Sequence, residues 1–191
     1  FLEESGLAKD IRSYSLGKGH IIGICGGLQM LGERLEDPFL KEGANNYLKR
    51  EINGIGIFPI KTIFNKKKQT RQISCKSLWP CESTINGFEI HNGNSFLIYQ
   101  NNSTKINPLF KDDNLGWYFE NDEGGSITGT YIHGIFENDL WRENYINLIR
   151  NKKGLPILDK KIKDYRIKRE SIIENLAIQF NKYINLSEFL T

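Results

Sequence analysis

No stretch of this 191-residue chain approaches the ~20 consecutive apolar residues that a membrane-crossing helix needs, so a helical membrane span is excluded. Cysteine is scarce. Cys25, Cys75 and Cys81 are an odd count, and their spacing matches no C-x2-C zinc pattern, which argues against both a disulfide scaffold and a thiolate metal site. Reduced thiols in the cytoplasm are the expectation. Excess charge of one sign is also lacking: 26 basic against 23 acidic residues leave +3, too little for the footprint of a nucleic-acid binder. The one basic run, Lys66-Lys67-Lys68 with Arg71 nearby, reads as a solvated loop or hairpin tip. There is no internal repeat and no low-complexity segment. There is neither an initiator Met nor a signal peptide, and Phe1 to Leu7 reads like the middle of a helix, as though cut from something longer.

What is present suits one globular α/β domain, long enough to bury roughly 70% of the surface its unfolded chain would expose. Residues 2–16 could form a short helix. His20-Ile21-Ile22-Gly23-Ile24 is an apolar run fit for a buried parallel strand, and Leu28, Leu31 and Leu35 give helical spacing from Gly26 to about Arg34. Residues 36–53 are polar and read as a loop. Strand-like alternation follows at 54–64, 71–75, 84–91, 95–99, 116–120 and 126–132, with Asp122-Glu123-Gly124-Gly125 as a hairpin turn. Cys75 and Cys81 flank Trp79-Pro80 and read as incidental, in a loop or at strand ends. Residues 138–150 should be a helix capped by Asn138. Residues 168–184 place Ile173, Leu176, Ala177, Phe180 and Ile184 on one stripe, the pattern of an amphipathic helix.

The chemistry-bearing feature is Gly23-Ile24-Cys25-Gly26-Gly27, between the first strand and the following helix. A side chain held at a sharp strand-to-helix turn needs small neighbours and a strained backbone, the logic of a nucleophile elbow, here with Cys in place of Ser. The helix N-terminus favours a thiolate, and the Gly26 N–H lies where it can donate to an oxyanion formed on the attacked carbon. A thiolate nucleophile wants a base within hydrogen-bond reach. Of three histidines, His20 opens the strand and reads as structural. His91 closes Gly87-Phe88-Glu89-Ile90-His91-Asn92-Gly93. His133 stands at a strand end, where α/β sheets carry their sites, and position prefers it over His91.

These residues resemble a known family. Gly23-Ile-Cys25-Gly26-Gly27-Leu-Gln29-Met-Leu-Gly32, then Glu36-Asp37-Pro38 and Glu42-Gly43, are similar to class I (triad-type) glutamine amidotransferase domains. The Gly87–Gly93 block and Gly129-Thr130-Tyr131-Ile132-His133-Gly134-Ile135-Phe136 match in order and spacing, over roughly residues 6–185. Within the superfamily the chain looks like the C-terminal domain of the cobyric acid synthase family. The resemblance implies a three-layer, flavodoxin-like α/β sheet with a nucleophile elbow, whose first strand and oxyanion turn lie upstream of Phe1. It implies Cys25 attacking the side-chain amide of L-glutamine, His133 carrying the proton, and Gln29 beside the glutamine pocket. The ammonia would pass to an upstream synthetase domain. There ATP and Mg2+ would activate four peripheral carboxylates of a corrinoid, adenosylcobyrinic acid a,c-diamide. No cofactor is implied in this domain, and neither a membrane nor a nucleic acid as partner.

One departure concerns the base. The superfamily places a Glu two residues after the catalytic His, and here that position is Ile135. The pattern therefore reads as a Cys–His dyad, with Glu89 and Glu137 as candidate orienting carboxylates. Other answers are the glutaminase of a cobyrinate diamide synthase or of a peptidoglycan-amidating ligase. A different class is a non-catalytic remnant that binds a synthetase partner.

Overall fold

The computed structural model describes residues 1–41, 50–98, 105–112, 114–158 and 164–184. Helix α1 (Leu7–Leu16) leads into strand β1 (His20–Ile24) and the short helix α2 (Gly26–Leu31). Then come β2 (Arg34–Glu36), β3 (Glu51–Asn53), β4 (Ile60–Ser77), β5 (Ser83–Leu97), β6 (Asn107–Pro108), β7 (Gly116–Glu120) and β8 (Ser126–Thr130). A 3-10 turn (Ile135–Glu137), α3 (Asp139–Lys152) and α4 (Tyr165–Tyr183) complete the order.

The α/β organisation and the elbow are as the sequence suggests, and the strands divide between two mixed four-stranded sheets. One has the order β1-β8-β7-β6, with β1 and β8 parallel; the other is β3-β2-β4-β5, with β2 and β4 parallel. Among the described residues β1 pairs only with β8, so it lies at a sheet edge. An isolated bridge between Phe88 of β5 and His133, just past β8, joins the two sheets. Two apolar clusters hold the layers. Leu28, Phe58, Ile60, Trp117 and Tyr131 belong to one; Ile85, Leu109, Phe110, Ile132, Ile135 and Trp141 belong to the other. In the second, Trp141 stacks on Tyr145, and its indole N–H donates to the Trp79 carbonyl at 2.9 Å, so the buried donor is satisfied.

Several local expectations change. The first helix begins at Leu7, because residues 1–6 form turns that end at Gly6 with φ 81°. The elbow helix stops at Leu31, where Gly32 turns extended and the chain enters β2; the expected loop over 36–53 is therefore bounded by two strands. Glu42-Gly43 and residue 99 lie outside the described residues. Residues 54–59 are not strand. Lys66-Lys67-Lys68 is no hairpin tip: it lies within β4, where the pairing to β5 shifts register between Phe64 and Gln69. The three lysines are exposed there, so the run is solvated, and Lys66 lies over the Phe39 ring at 4.7 Å. Asn138 does precede α3, but its side chain does not cap it. Its Oδ1 accepts from the Asn86 N–H at 2.8 Å, and its Nδ2 donates to the Asn86, Gly134 and Ile135 carbonyls.

The largest difference is α4. It forms, capped by Asp164, whose carboxylate accepts from the Arg166 and Ile167 N–H groups. Yet every residue from Tyr165 to Tyr183 is exposed, including Ile173, Leu176, Ala177 and Phe180. The predicted stripe has no core beneath it among the described residues. Among the described residues its polar contacts are at the N-terminal end, where Tyr165 N–H donates to the Asp139 carboxylate and Arg169 pairs with Glu137 at 2.8 Å.

Candidate active site

Cys25 occupies the turn between β1 and α2 with φ 54° and ψ −112°, a conformation few L-residues adopt and one that the surrounding fold must enforce. Two backbone bonds do so. Cys25 N–H donates to the Thr130 carbonyl at 2.8 Å, extending the β1–β8 register, and Gln29 N–H donates to the Cys25 carbonyl at 3.1 Å. Gly23 is sterically required: a Cβ there would sit 2.7 Å from Gly27 C and Leu28 N. The expectation that Gly26 and Gly27 must also be small is not met in that sense, since a Cβ at either meets nothing within 4 Å.

The thiol of Cys25 donates to the Ile90 carbonyl at 3.5 Å. Two residues along the same strand, Phe88 and His133 exchange both backbone bonds. His133 N–H donates to Phe88 O at 2.8 Å, and Phe88 N–H donates to His133 O at 3.2 Å. Strand β5 therefore brings the nucleophile candidate and the base candidate to neighbouring positions, although they lie on different segments of the other sheet. The His133 ring stacks on Phe88, centroids 5.1 Å apart and planes within 9°. Its Nε2 is buried with no hydrogen-bond partner among the described residues.

His91 is held differently. Its Nδ1 contacts the Gly93 carbonyl at 2.6 Å, its Nε2 contacts Glu89 Oε1 at 3.3 Å, and its ring stacks on Tyr131. Both of its nitrogens thus face groups other than the Cys25 thiol. Glu89, also buried, is bound to Arg71 through its other oxygen. Glu89 and His91 face a cavity of about 410 Å³ that Arg71, Asn94, Ser95 and Tyr131 also line. Glu137 pairs with Arg169. Neither candidate carboxylate bonds to the His133 Nε2. Ile135, at the family's Glu position, is fully buried in the apolar cluster around Trp141.

Gln29 is buried, and its Nε2 donates to Tyr131 Oη at 3.3 Å. Tyr131 Oη also meets Ser95 Oγ at 2.7 Å, which in turn meets Thr62 Oγ1 at 2.7 Å. Burial pushes the Tyr131 phenol up, against these hydrogen bonds, so it remains a neutral donor and acceptor. The sequence reading missed Tyr131, Ser95 and Thr62. The only signal was polar residues at inward positions of strands, which a single sequence cannot tell from solvent-facing ones. Of the other two thiols, burial raises Cys75 to about 11 and also raises Cys81, which disfavours their thiolates. His20 Nδ1 contacts Ser126 Oγ at 2.9 Å, a structural placement at the start of β1.

Among the described residues no group of three His, Cys, Asp or Glu could hold a metal ion, and no helix is long and apolar enough to cross a membrane. A family profile described as the CobB/CobQ-like glutamine amidotransferase domain matches residues 1–141. The chain belongs to that family. Among the chain's relatives are proteins named cobyric acid synthase from Prochlorococcus marinus. That of strain MIT 9215 is 65% identical over the whole chain and 38% of its own length. That of strain MIT 9301 is 63% identical over the same shares, and that of strain MIT 9313 is 38% identical over 99% of this chain and 38% of its own length. The chain thus spans somewhat over a third of the relatives it matches, and it is their C-terminal, glutamine amidotransferase-type part.

Proposed function

We propose that this chain is the glutaminase of a cobyric acid synthase, working through a Cys25–His133 dyad. The observation that carries the reading is the convergence on β5: Cys25 Sγ lies against the Ile90 carbonyl, and His133 is tied to Phe88 with its Nε2 unbonded. The thiol proton passes to His133, and sulfur attacks the δ-carbon of L-glutamine, with the Gly26 N–H stabilising the oxyanion. Collapse breaks the C–N bond while His133 returns the proton to the departing nitrogen, giving ammonia and a γ-glutamyl thioester. A water then gives its proton to His133 and attacks the thioester. Glutamate leaves, and the imidazole reprotonates the thiolate. Gln29, held by Tyr131, borders the glutamine side chain.

The acceptor side belongs to the part of the longer protein outside this chain. There a synthetase domain, with ATP and Mg2+, would activate carboxylates of adenosylcobyrinic acid a,c-diamide for the ammonia, in the cytoplasm. The relatives' name and their extra length support this assignment. Residues 1–191 are read as one amidotransferase domain. Incubating the longer protein of which this chain is a part with L-glutamine should release glutamate, and Cys25→Ala should stop it. Glutamate release that survives Cys25→Ala would overturn the mechanism; none from the unaltered longer protein would make this domain a binding remnant.

A further inference from the structure

We propose that Phe88 is the positioning residue of His133, doing with a ring face what a carboxylate does in a Cys–His–Glu arrangement. The inference rests on the reading of His133 as the base.

A catalytic imidazole must hold one plane and one position while its nitrogens exchange protons. The two backbone bonds with Phe88 fix the His133 main chain, but they leave rotation of the ring free. The residues that could stop rotation by a hydrogen bond are otherwise engaged. Glu89 is bound to Arg71 and His91, Glu137 to Arg169, and position 135 is a buried isoleucine. The Nε2 end of the ring has no partner among the described residues. What does touch the imidazole is the Phe88 ring, lying flat against it within 9° of parallel. A flat apolar face opposes tilting of the ring and leaves the in-plane nitrogens free to donate and accept. A hydrogen-bonded carboxylate would instead occupy one of them.

Phe88 is also placed as a dedicated contact rather than as core. It belongs to neither apolar cluster and is 46% exposed, a large apolar side chain at the surface of β5 whose ring contact is His133. Losing it should therefore cost little stability and much alignment. The adjoining Gly87 supports the same geometry. A Cβ there would collide with the His133 carbonyl oxygen and the Ile132 side chain, so the strand can approach closely enough for the stack only with glycine.

The test compares Phe88→Leu, Phe88→Tyr and His133→Ala in the full-length chain, measuring glutamate release at varied L-glutamine together with thermal melting. Phe88→Leu keeps an apolar side chain without a ring face. It should lower kcat about tenfold to a hundredfold, the range for a misaligned catalytic group, with KM within about twofold. Phe88→Tyr keeps the face and should retain most of kcat. All three should melt near the unaltered protein. Phe88→Leu with full turnover, while His133→Ala has none, would overturn the role of Phe88 and leave His133 as base. Equal losses in Phe88→Leu and Phe88→Tyr would also overturn it, because the ring face would then not be what matters. A rise in KM with kcat unchanged would assign Phe88 to glutamine binding and overturn positioning. Turnover that survives His133→Ala would overturn the base reading and this proposal with it.

Discussion

Cys25 and His133 stand out in the sequence because chemistry and local geometry coincide there: small residues around a strand-to-helix turn, and a histidine at a strand end. The structure describes the surroundings of each. Cys25 is strained at φ 54°, and His133 keeps Nε2 unbonded while His91 spends both nitrogens on Gly93 and Glu89. Substituting His133 with Ala should therefore reduce glutamate release by about 10²–10⁴-fold, the contribution of a positioned acid–base. His91→Ala should act through stability, since it strips a stacked, hydrogen-bonded ring from a buried site. Steady-state kinetics beside melting curves separate the two, and equal kinetic losses would mean that the base is misassigned. What one sequence could not show is which carboxylate serves which histidine. Glu89 is two residues from His91 on the same buried face of β5, so it pairs there.

At the scale of elements, β1, the elbow helix and the β7–β8 hairpin were legible, because each is short, strongly patterned and bounded by glycine. Strand β4 was not. Its lysine run looks like a tip, yet antiparallel pairing with β5 continues past a register shift, and tertiary pairing overrides local polarity. Helix α4 fails in the opposite sense. Its apolar residues promise a buried stripe, and period alone cannot say whether anything lies beneath it. This contrast gives a stability prediction. Leu176→Ala on α4 should change the unfolding free energy of the isolated chain by no more than about 0.5 kcal/mol. Trp141→Ala, which empties a fully buried site and abandons the Trp79 carbonyl, should cost about 3–5 kcal/mol. Urea unfolding of the two variants checks both.

For the whole molecule, pH enters through His20. Burial first, then Lys152 and Lys153, lower its pKa below the ordinary histidine value, outweighing the pull of Glu120. The unfolded chain thus binds the proton at a higher pH than the folded one. Stability from this group is fully present above the ordinary histidine value and is lost as pH falls through the folded value. Melting from pH 8 to 5 should show a steeper decline in the unaltered protein than in His20→Gln; parallel curves would remove His20 as the cause. The reach of the chain, by contrast, could be read from residues only in outline. The matched relatives extend well beyond it, and nothing within 191 residues names the acceptor of the ammonia.

The bridge between Phe88 and His133, together with the Cys25–Ile90 contact, has a consequence for tolerance to damage. Sulfur and imidazole are both referenced to one ruler, the 88–90 stretch of β5, in addition to the β1–β8 register that holds Cys25. Loosening either apolar layer can then lower the folded fraction while each folded molecule keeps its spacing. Core variants such as Ile85→Val or Leu109→Ala should lose glutaminase activity only in proportion to the protein unfolded, with kcat per folded molecule preserved. A change that bends β5 itself, such as Gly87→Ala, should differ: besides any loss of folded protein, kcat per folded molecule should fall.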